Sequence, residues 1–207
     1  MKTGKVLLII MCFLISLQHL VASDVEVLLI VPNWFGANSY YLMEMFSEFG
    51  WQVTYTAVNP TVNPCFWGQP IAVDIVIAQL GDIEEFDVIA ICPSRWYNNP
   101  PNAYNDLLNS QETLDLLVNA NNAGKIIYAT CAGVRVLAAA GILEGVNITG
   151  NPYYESEYIA AGANYLGDNI PPVIDGNIVT STRGEYYWIQ NAEAIMTALQ
   201  QQNPLSR

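Results

Sequence analysis

Histidine is almost absent from this 207-residue chain: the single one, His19, lies in an apolar N-terminal region. Beyond it, the commonest metal ligand and the commonest general base are both missing. That argues against a metalloenzyme, and against a Ser-His or Cys-His hydrolase completed within one subunit. Basic residues are scarce as well, seven against 19 acidic ones, for a formal charge of −12 and a pI near 4.2. Such a surface repels polyanions, so nucleic acid and anionic membranes are excluded as partners. Long hydrophobic runs are confined to the N-terminus, where Lys2 and Lys5 precede an apolar run from Val6 to Leu17. Val21-Ala22-Ser23 then offers small residues to a signal peptidase. The run is shorter than the roughly 20 residues needed to span a bilayer. Residues 1–23 are therefore expected to be a cleaved signal, and 24–207 one domain that is secreted or periplasmic and has no membrane attachment after cleavage. Cleavage would also remove Lys2, Lys5 and His19, leaving a domain two charges more negative than the whole chain.

What remains is a regular alternation of apolar strands and amphipathic helices. Val25–Val31, Gln52–Val58, Asp87–Ile91 and Ile126–Ala129 read as strands, rich in β-branched and aromatic residues. Ser39–Phe49, Leu107–Ala120 and Tyr187–Gln200 read as helices, the first closed by Gly50. Residues 59–70, with three prolines, form a loop, and Ile71–Ile77 is a short extended excursion. A turn falls at Asn98–Pro101, Val146–Thr149 is a further extended piece, and a strand pair lies around Val173–Thr180. The pattern predicts an α/β fold, a mostly parallel sheet with helices on both faces. Sites in such sheets lie beyond the carboxyl ends of the strands.

One stretch places a chemically useful group at such an end. After Ile126–Ala129, Val134–Ala140 is a helix with Gly141 as its cap, so Thr130-Cys131-Ala132-Gly133 must make the turn. A cysteine there occupies a nucleophile elbow, its sulfur exposed and the following N–H groups opening the helix. That position favours a lowered thiol pKa.

The motifs Ala129-Thr130-Cys131-Ala132-Gly133, Ala139-Ala140-Gly141-Ile142-Leu143-Glu144-Gly145 and Asp175–Gly184 resemble those of the DJ-1/PfpI superfamily, also called ThiJ/PfpI-like. Ile30-Val31-Pro32 and Phe86–Ile91 add to the resemblance, which covers nearly all of the chain after residue 24. It implies a flavodoxin-like, doubly wound sheet of the class I glutamine amidotransferase type, with Cys131 as candidate nucleophile or redox thiol. It further implies oxyanion donors in the backbone N–H groups of Ala132 and Ser94, since Pro93 cannot donate. The family's acid after the first strand falls at or near Gly36, with Ala37 and Asn38 adjacent and Glu44 too far along the helix. The histidine that one branch carries directly after the cysteine is Ala132 here. That of the DJ-1-like branch falls on Asn151, which orients a group by hydrogen bonding but takes no proton at neutral pH. Near the end, Glu185 follows Arg183-Gly184 where the family usually has proline.

On this reading no cofactor and no metal are expected. The partners are a small-molecule ligand and, from the family's habit, a second copy of the chain as a homodimer. Two functions compete. One is a non-catalytic binding or redox-responsive protein that keeps the thiol without its acid and histidine partners. The other is a Cys-dependent hydrolase, hydratase or lyase acting on a small carbonyl or amide. Cys65 and Cys92 either pair in an oxidising compartment or stay reduced, with Cys92 reading as core. Asn147-Ile148-Thr149 is a glycosylation sequon beside a strand. Aromatic pairs such as Trp34-Phe35, Phe66-Trp67, Trp96-Tyr97, Tyr153-Tyr154 and Tyr186-Tyr187 fall in loops, where they wall a pocket or form an interface.

Overall fold

The computed structural model describes residues 25–65, 68–94, 104–182 and 187–202. The expected signal segment, Trp96-Tyr97, Asn98–Pro101, Phe66-Trp67 and Arg183–Tyr186 lie outside the described residues. Seven strands form the main sheet: β1 (Glu26–Ile30), β2 (Gln52–Ala57), β5 (Ile75–Val76), β6 (Val88–Ile91), β7 (Ile126–Thr130), β10 (Val173–Asp175) and β11 (Ile178–Ser181). Their order is β10-β11-β7-β6-β1-β2-β5, and every neighbouring pair is parallel except β10 with β11. Two small pairs lie outside it: β3 (Thr61–Val62) with β4 (Ile71–Ala72), antiparallel, and β8 (Asn147–Ile148) with β9 (Asn164–Tyr165), parallel.

Uninterrupted apolar strands bury both faces because successive side chains point to opposite sides. From β1, Leu28 and Ile30 join Ile89, Ile91, Ile127 and Ala129 in one core layer. Val27 and Leu29 join Val88, Ala90, Ile126 and Tyr128 in the other. Helices α3 (Gln111–Asn122) and α4 (Val134–Ala139) cover the first layer with Leu116, Leu117 and Leu137. Helices α1 (Ser39–Glu48) and α6 (Trp188–Gln202) cover the second with Leu42, Met45, Phe46 and Ile195. Each such fully buried aliphatic side chain stabilises the fold by about 1.5–3 kcal/mol. The α/β class with a mostly parallel sheet is therefore the observed one.

Two expected elements are built differently. The helix expected over Leu107–Ala120 is two: α2 (Asn105–Leu108) and α3, broken because the Ser110 hydroxyl accepts the Thr113 N–H at 3.2 Å and starts a new helix. The excursion at Ile71–Ile77 splits, since β4 returns to β3 while β5 becomes the edge strand of the main sheet. The expected glycine caps are present: Gly50 and Gly141 close α1 and α4 with φ of 73° and 70°. Between β8 and β9 runs the one-and-a-half-turn helix α5 (Glu155–Ala160), which brings Tyr158 into the first core layer.

Candidate functional site

Beyond the carboxyl ends of β1, β6 and β7 the backbone takes up conformations that L-residues seldom adopt. Trp34, Tyr104 and Cys131 have φ of 68°, 72° and 56°. A non-glycine residue held this way costs about 1–3 kcal/mol, and such positions gather where a side chain must be aimed. Cys131 closes β7 and opens a 3-10 turn, Cys131–Gly133, that runs into α4. Its residue is half-buried, whereas Cys92 at the end of β6 is fully buried. Burial pushes the Cys92 thiol up to about 12, the Ser39 hydroxyl only partly offsetting it. No disulfide joins Cys65 to Cys92.

Asn151 addresses Cys131 through both backbone and side chain. Its N–H donates to the Cys131 carbonyl at 3.3 Å, and its side-chain amide donates to Sγ at 3.6 Å. The amide's orientation follows from its other end, where Oδ1 accepts the Tyr153 N–H at 3.0 Å and caps the short 3-10 turn Pro152–Tyr154. With the oxygen so engaged, nitrogen faces the sulfur. A donor in that place favours the thiolate but takes no proton.

Two buried tyrosines lie against the Cys131–Gly133 turn. Tyr158, fully buried, donates its hydroxyl to the Cys131 carbonyl at 3.5 Å. Burial raises its pKa, and a charge on Cys131 raises it further. Tyr104 is raised well above its ordinary value by the same two causes in the same order. Its hydroxyl donates to the Cys92 carbonyl at 3.2 Å and accepts the Ser94 N–H at 2.7 Å. Ser94 was expected to turn that amide toward an oxyanion. Instead Tyr104 occupies it, while the Ser94 hydroxyl donates to the Trp34 carbonyl at 2.9 Å. The remaining expected donor is Ala132, buried in the turn just after the cysteine, where first-turn amides have no intrahelical acceptor.

The loop after β1 carries Gly36, which is buried and donates its N–H to Pro93 at 3.3 Å. Beside it, buried Asn38 has a side-chain oxygen without a hydrogen-bond partner. Glu44 is exposed on α1. A carboxylate reaches this loop from an unforeseen place: Asp106 of α2 accepts the Asn33 N–H at 2.7 Å. Burial raises its pKa, against the lowering effect of that amide. Arg135, four residues past Cys131, was also unforeseen. Its Nε donates to Glu157 at 2.7 Å, and its guanidinium lies 4.2 Å from the centre of the Tyr154 ring. The scarcity of basic residues was a signal for Arg135, one of seven in the chain. For Tyr104 and Tyr158 the sequence offered none, since tyrosine is frequent in this chain.

The chain belongs to the DJ-1/PfpI family. Residues 26–196 match the sequence model of that family. The fold is similar to that of a ThiJ/PfpI domain protein from Brachyspira murdochii (TM-score 0.72, 22% identity, 89% of this chain and 99% of that one). It is also similar to Drosophila melanogaster DJ-1beta (TM-score 0.68, 21% identity, 89% and 100%). A two-domain protein from Anabaena variabilis with DJ-1/ThiJ/PfpI-like and ferritin-like domains aligns over 84% of this chain and 48% of its own length (TM-score 0.73, 19% identity). In sequence, the chain is 32% identical over 99 residues to an uncharacterised protein of Methanocaldococcus jannaschii, 47% of each chain. The chain thus spans about half the length of that relative in the match.

Of the residues that the resemblance sets at the acid and histidine positions, Gly36 lies in the loop after β1 and Asn151 lies beside Cys131. Among the described residues no group of three His, Cys, Asp or Glu side chains is placed to hold a metal ion, and no helix is long and apolar enough to cross a membrane. A cleft of about 680 Å³ lies elsewhere, between residues 77–84 and α3, with Lys125 at the amino end of β7. Its acidic rim and its place at the wrong end of the strands separate it from the thiol. The loop aromatics divide: Phe35 is core, whereas Trp34 and Tyr153 are 39% and 71% exposed. Asn147 is exposed on β8, its side-chain amide donating to Asp175 at 2.8 Å.

Proposed function

We propose that this DJ-1/PfpI-family protein is an exported binding or redox-responsive member in which the Cys131 thiolate is stabilised without an acid-base partner. The observation that carries the reading is Asn151, at the family's histidine position, donating to Sγ at 3.6 Å. A hydrogen bond to sulfur favours the reactive anion, whereas turnover of an acyl or hemithioacetal intermediate also needs a group that moves protons. Export rests on the order of charges, apolar run and small residues in 1–23. A homodimer is supported by exposed Trp34, Tyr40 and Tyr41, apolar surface of the kind that interfaces cover.

A redox role has a simple stoichiometry. The thiolate attacks one oxygen of hydrogen peroxide, an S–O bond forms, the O–O bond breaks and hydroxide leaves, so sulfur is oxidised by two electrons to sulfenic acid. The left-handed Cys131, held as a nucleophile is held in an elbow, favours the second reading, a Cys-dependent hydrolase, hydratase or lyase with the Ala132 N–H as oxyanion donor. Graded peroxide followed by peptide mass spectrometry, beside glyoxalase and peptidase assays, separates the two. The expected result is oxidation of Cys131 before Cys65 and Cys92, with little of either activity. Turnover at ordinary enzymatic rates that vanishes in Cys131→Ala would establish the enzyme instead.

A further inference from the structure

Cations are so scarce here that the position of each one is informative. Among the described residues there are two, Lys125 and Arg135. Lys125 lies at the amino end of β7, its Nζ donating to the Glu84 carbonyl at 2.8 Å, a full strand away from Cys131. Arg135 is in the first turn of α4, at the same end of the sheet as the thiol. Resting on the reading of Cys131 as a reactive thiol, we propose that its site takes ligands bearing a carboxylate close to the electrophilic carbon, and that Arg135 is the specificity residue that recognises it.

The guanidinium is held in place rather than swinging free. Tyr154 supports its face and Glu157 takes its Nε, so two independent contacts fix the plane. Its two terminal amino groups make no hydrogen bond to any other described residue, and the side chain keeps 20% of its surface. A fixed guanidinium with unused, parallel N–H groups is suited to a planar carboxylate, since only part of its fork is spent on Glu157. One link to Cys131 runs through α5, where Glu157 holds Arg135 and the next residue, Tyr158, donates its hydroxyl to the Cys131 carbonyl at 3.5 Å. A second link runs through Asn151, whose side-chain amide donates to Sγ at 3.6 Å and whose carbonyl accepts at 3.0 Å the N–H of Tyr154, the ring under the guanidinium. Glu157 engages Nε alone, and the formal charge of −12 makes the molecule as a whole unattractive to anions. Among the described residues Arg135 is the one cationic side chain at this end of the sheet.

Alkylation of the full-length protein by iodoacetate and by iodoacetamide tests this, because the two probes differ in a carboxylate. In both, the thiolate displaces iodide: an S–C bond forms, the C–I bond breaks and iodide leaves. The rate ratio at Cys131, read by peptide mass spectrometry, cancels any change in thiolate fraction. Arg135→Met is expected to lower the iodoacetate-to-iodoacetamide ratio by about threefold to tenfold, the scale of one charge at a partly solvated contact. Arg135→Lys should retain most of it, and Lys125→Met, with the same change in net charge, should leave it unchanged. Added salt should lower the ratio in the unmodified protein and not in Arg135→Met. Fast labelling by iodoacetamide with equal ratios in unmodified protein and Arg135→Met overturns the carboxylate site alone. Failure of iodoacetamide to label Cys131 ahead of Cys65 overturns the reactive-thiol reading, and the site with it.

Discussion

Replacing Asn151 by aspartate isolates what the side-chain amide does for the sulfur. The substitution keeps an oxygen for the Tyr153 N–H, which Asn151 now caps at 3.0 Å, so the short turn before α5 is preserved. It removes the donor that lies 3.6 Å from Sγ and puts a carboxylate there. Two unit charges about 4 Å apart repel by about 1 kcal/mol in water and by about 4 kcal/mol at an effective dielectric constant of 20. Asn151 is half-exposed, which places the effect between these limits. With 1.36 kcal/mol per pH unit, the midpoint of the alkylation profile of Cys131 should move up by about one to two units. The lost hydrogen bond acts in the same direction, because it favoured the charged form. Asn151→Ala, which removes the donor and adds no charge, should move the midpoint up by less than about one unit. The assay is the rate of iodoacetamide labelling at Cys131 between pH 5 and pH 10. Coincident profiles for Asn151→Asp and the unmodified protein would refute the reasoning, since no carboxylate 4 Å from a thiolate leaves its titration untouched.

Two further outcomes follow from burial and packing. Cys92, held near 12 in the fold against an ordinary 9.0, binds its proton in the native state where the unfolded chain has lost it, so stability falls as pH rises from about 9 toward 12. Cys92→Ala should flatten the start of that alkaline loss in urea titrations, and an unchanged slope between pH 9 and pH 10 would count against it. At Gly133 an added Cβ would stand 3.1 Å from Ile91 Cγ2 and 3.3 Å from the Tyr104 hydroxyl. Gly133→Ala gains roughly 0.5–1 kcal/mol of backbone entropy and loses about 1–3 kcal/mol to crowding, for a net cost near 1 kcal/mol. A thermal midpoint about 2–4 °C lower is expected, and a rise would show that Tyr104 yields freely.

Much of the architecture is local and was therefore legible along the chain. Ile126–Ala129 and Val88–Ile91 are apolar at every position, which suits strands covered on both sides, and Gly50 and Gly141 adopt the left-handed conformation that closes a helix. The place of Cys131 between strand and helix was legible for the same reason: four residues cannot do anything but turn. Its surroundings were not, because each comes from a distant segment. Tyr104 and Ser94 meet across residues 95–103, Tyr158 reaches the Cys131 carbonyl from beyond β8, and Asp106 ties α2 to the loop after β1. A hydroxyl or carboxylate carries no mark in the sequence of which backbone group it will satisfy. That choice is made by the requirement that buried polar groups be paired, which acts only once the sheet and its helices have brought them together. The Ser94 amide shows the consequence: the family resemblance implied an oxyanion donor, and the Tyr104 hydroxyl, from just before α2, accepts that N–H instead.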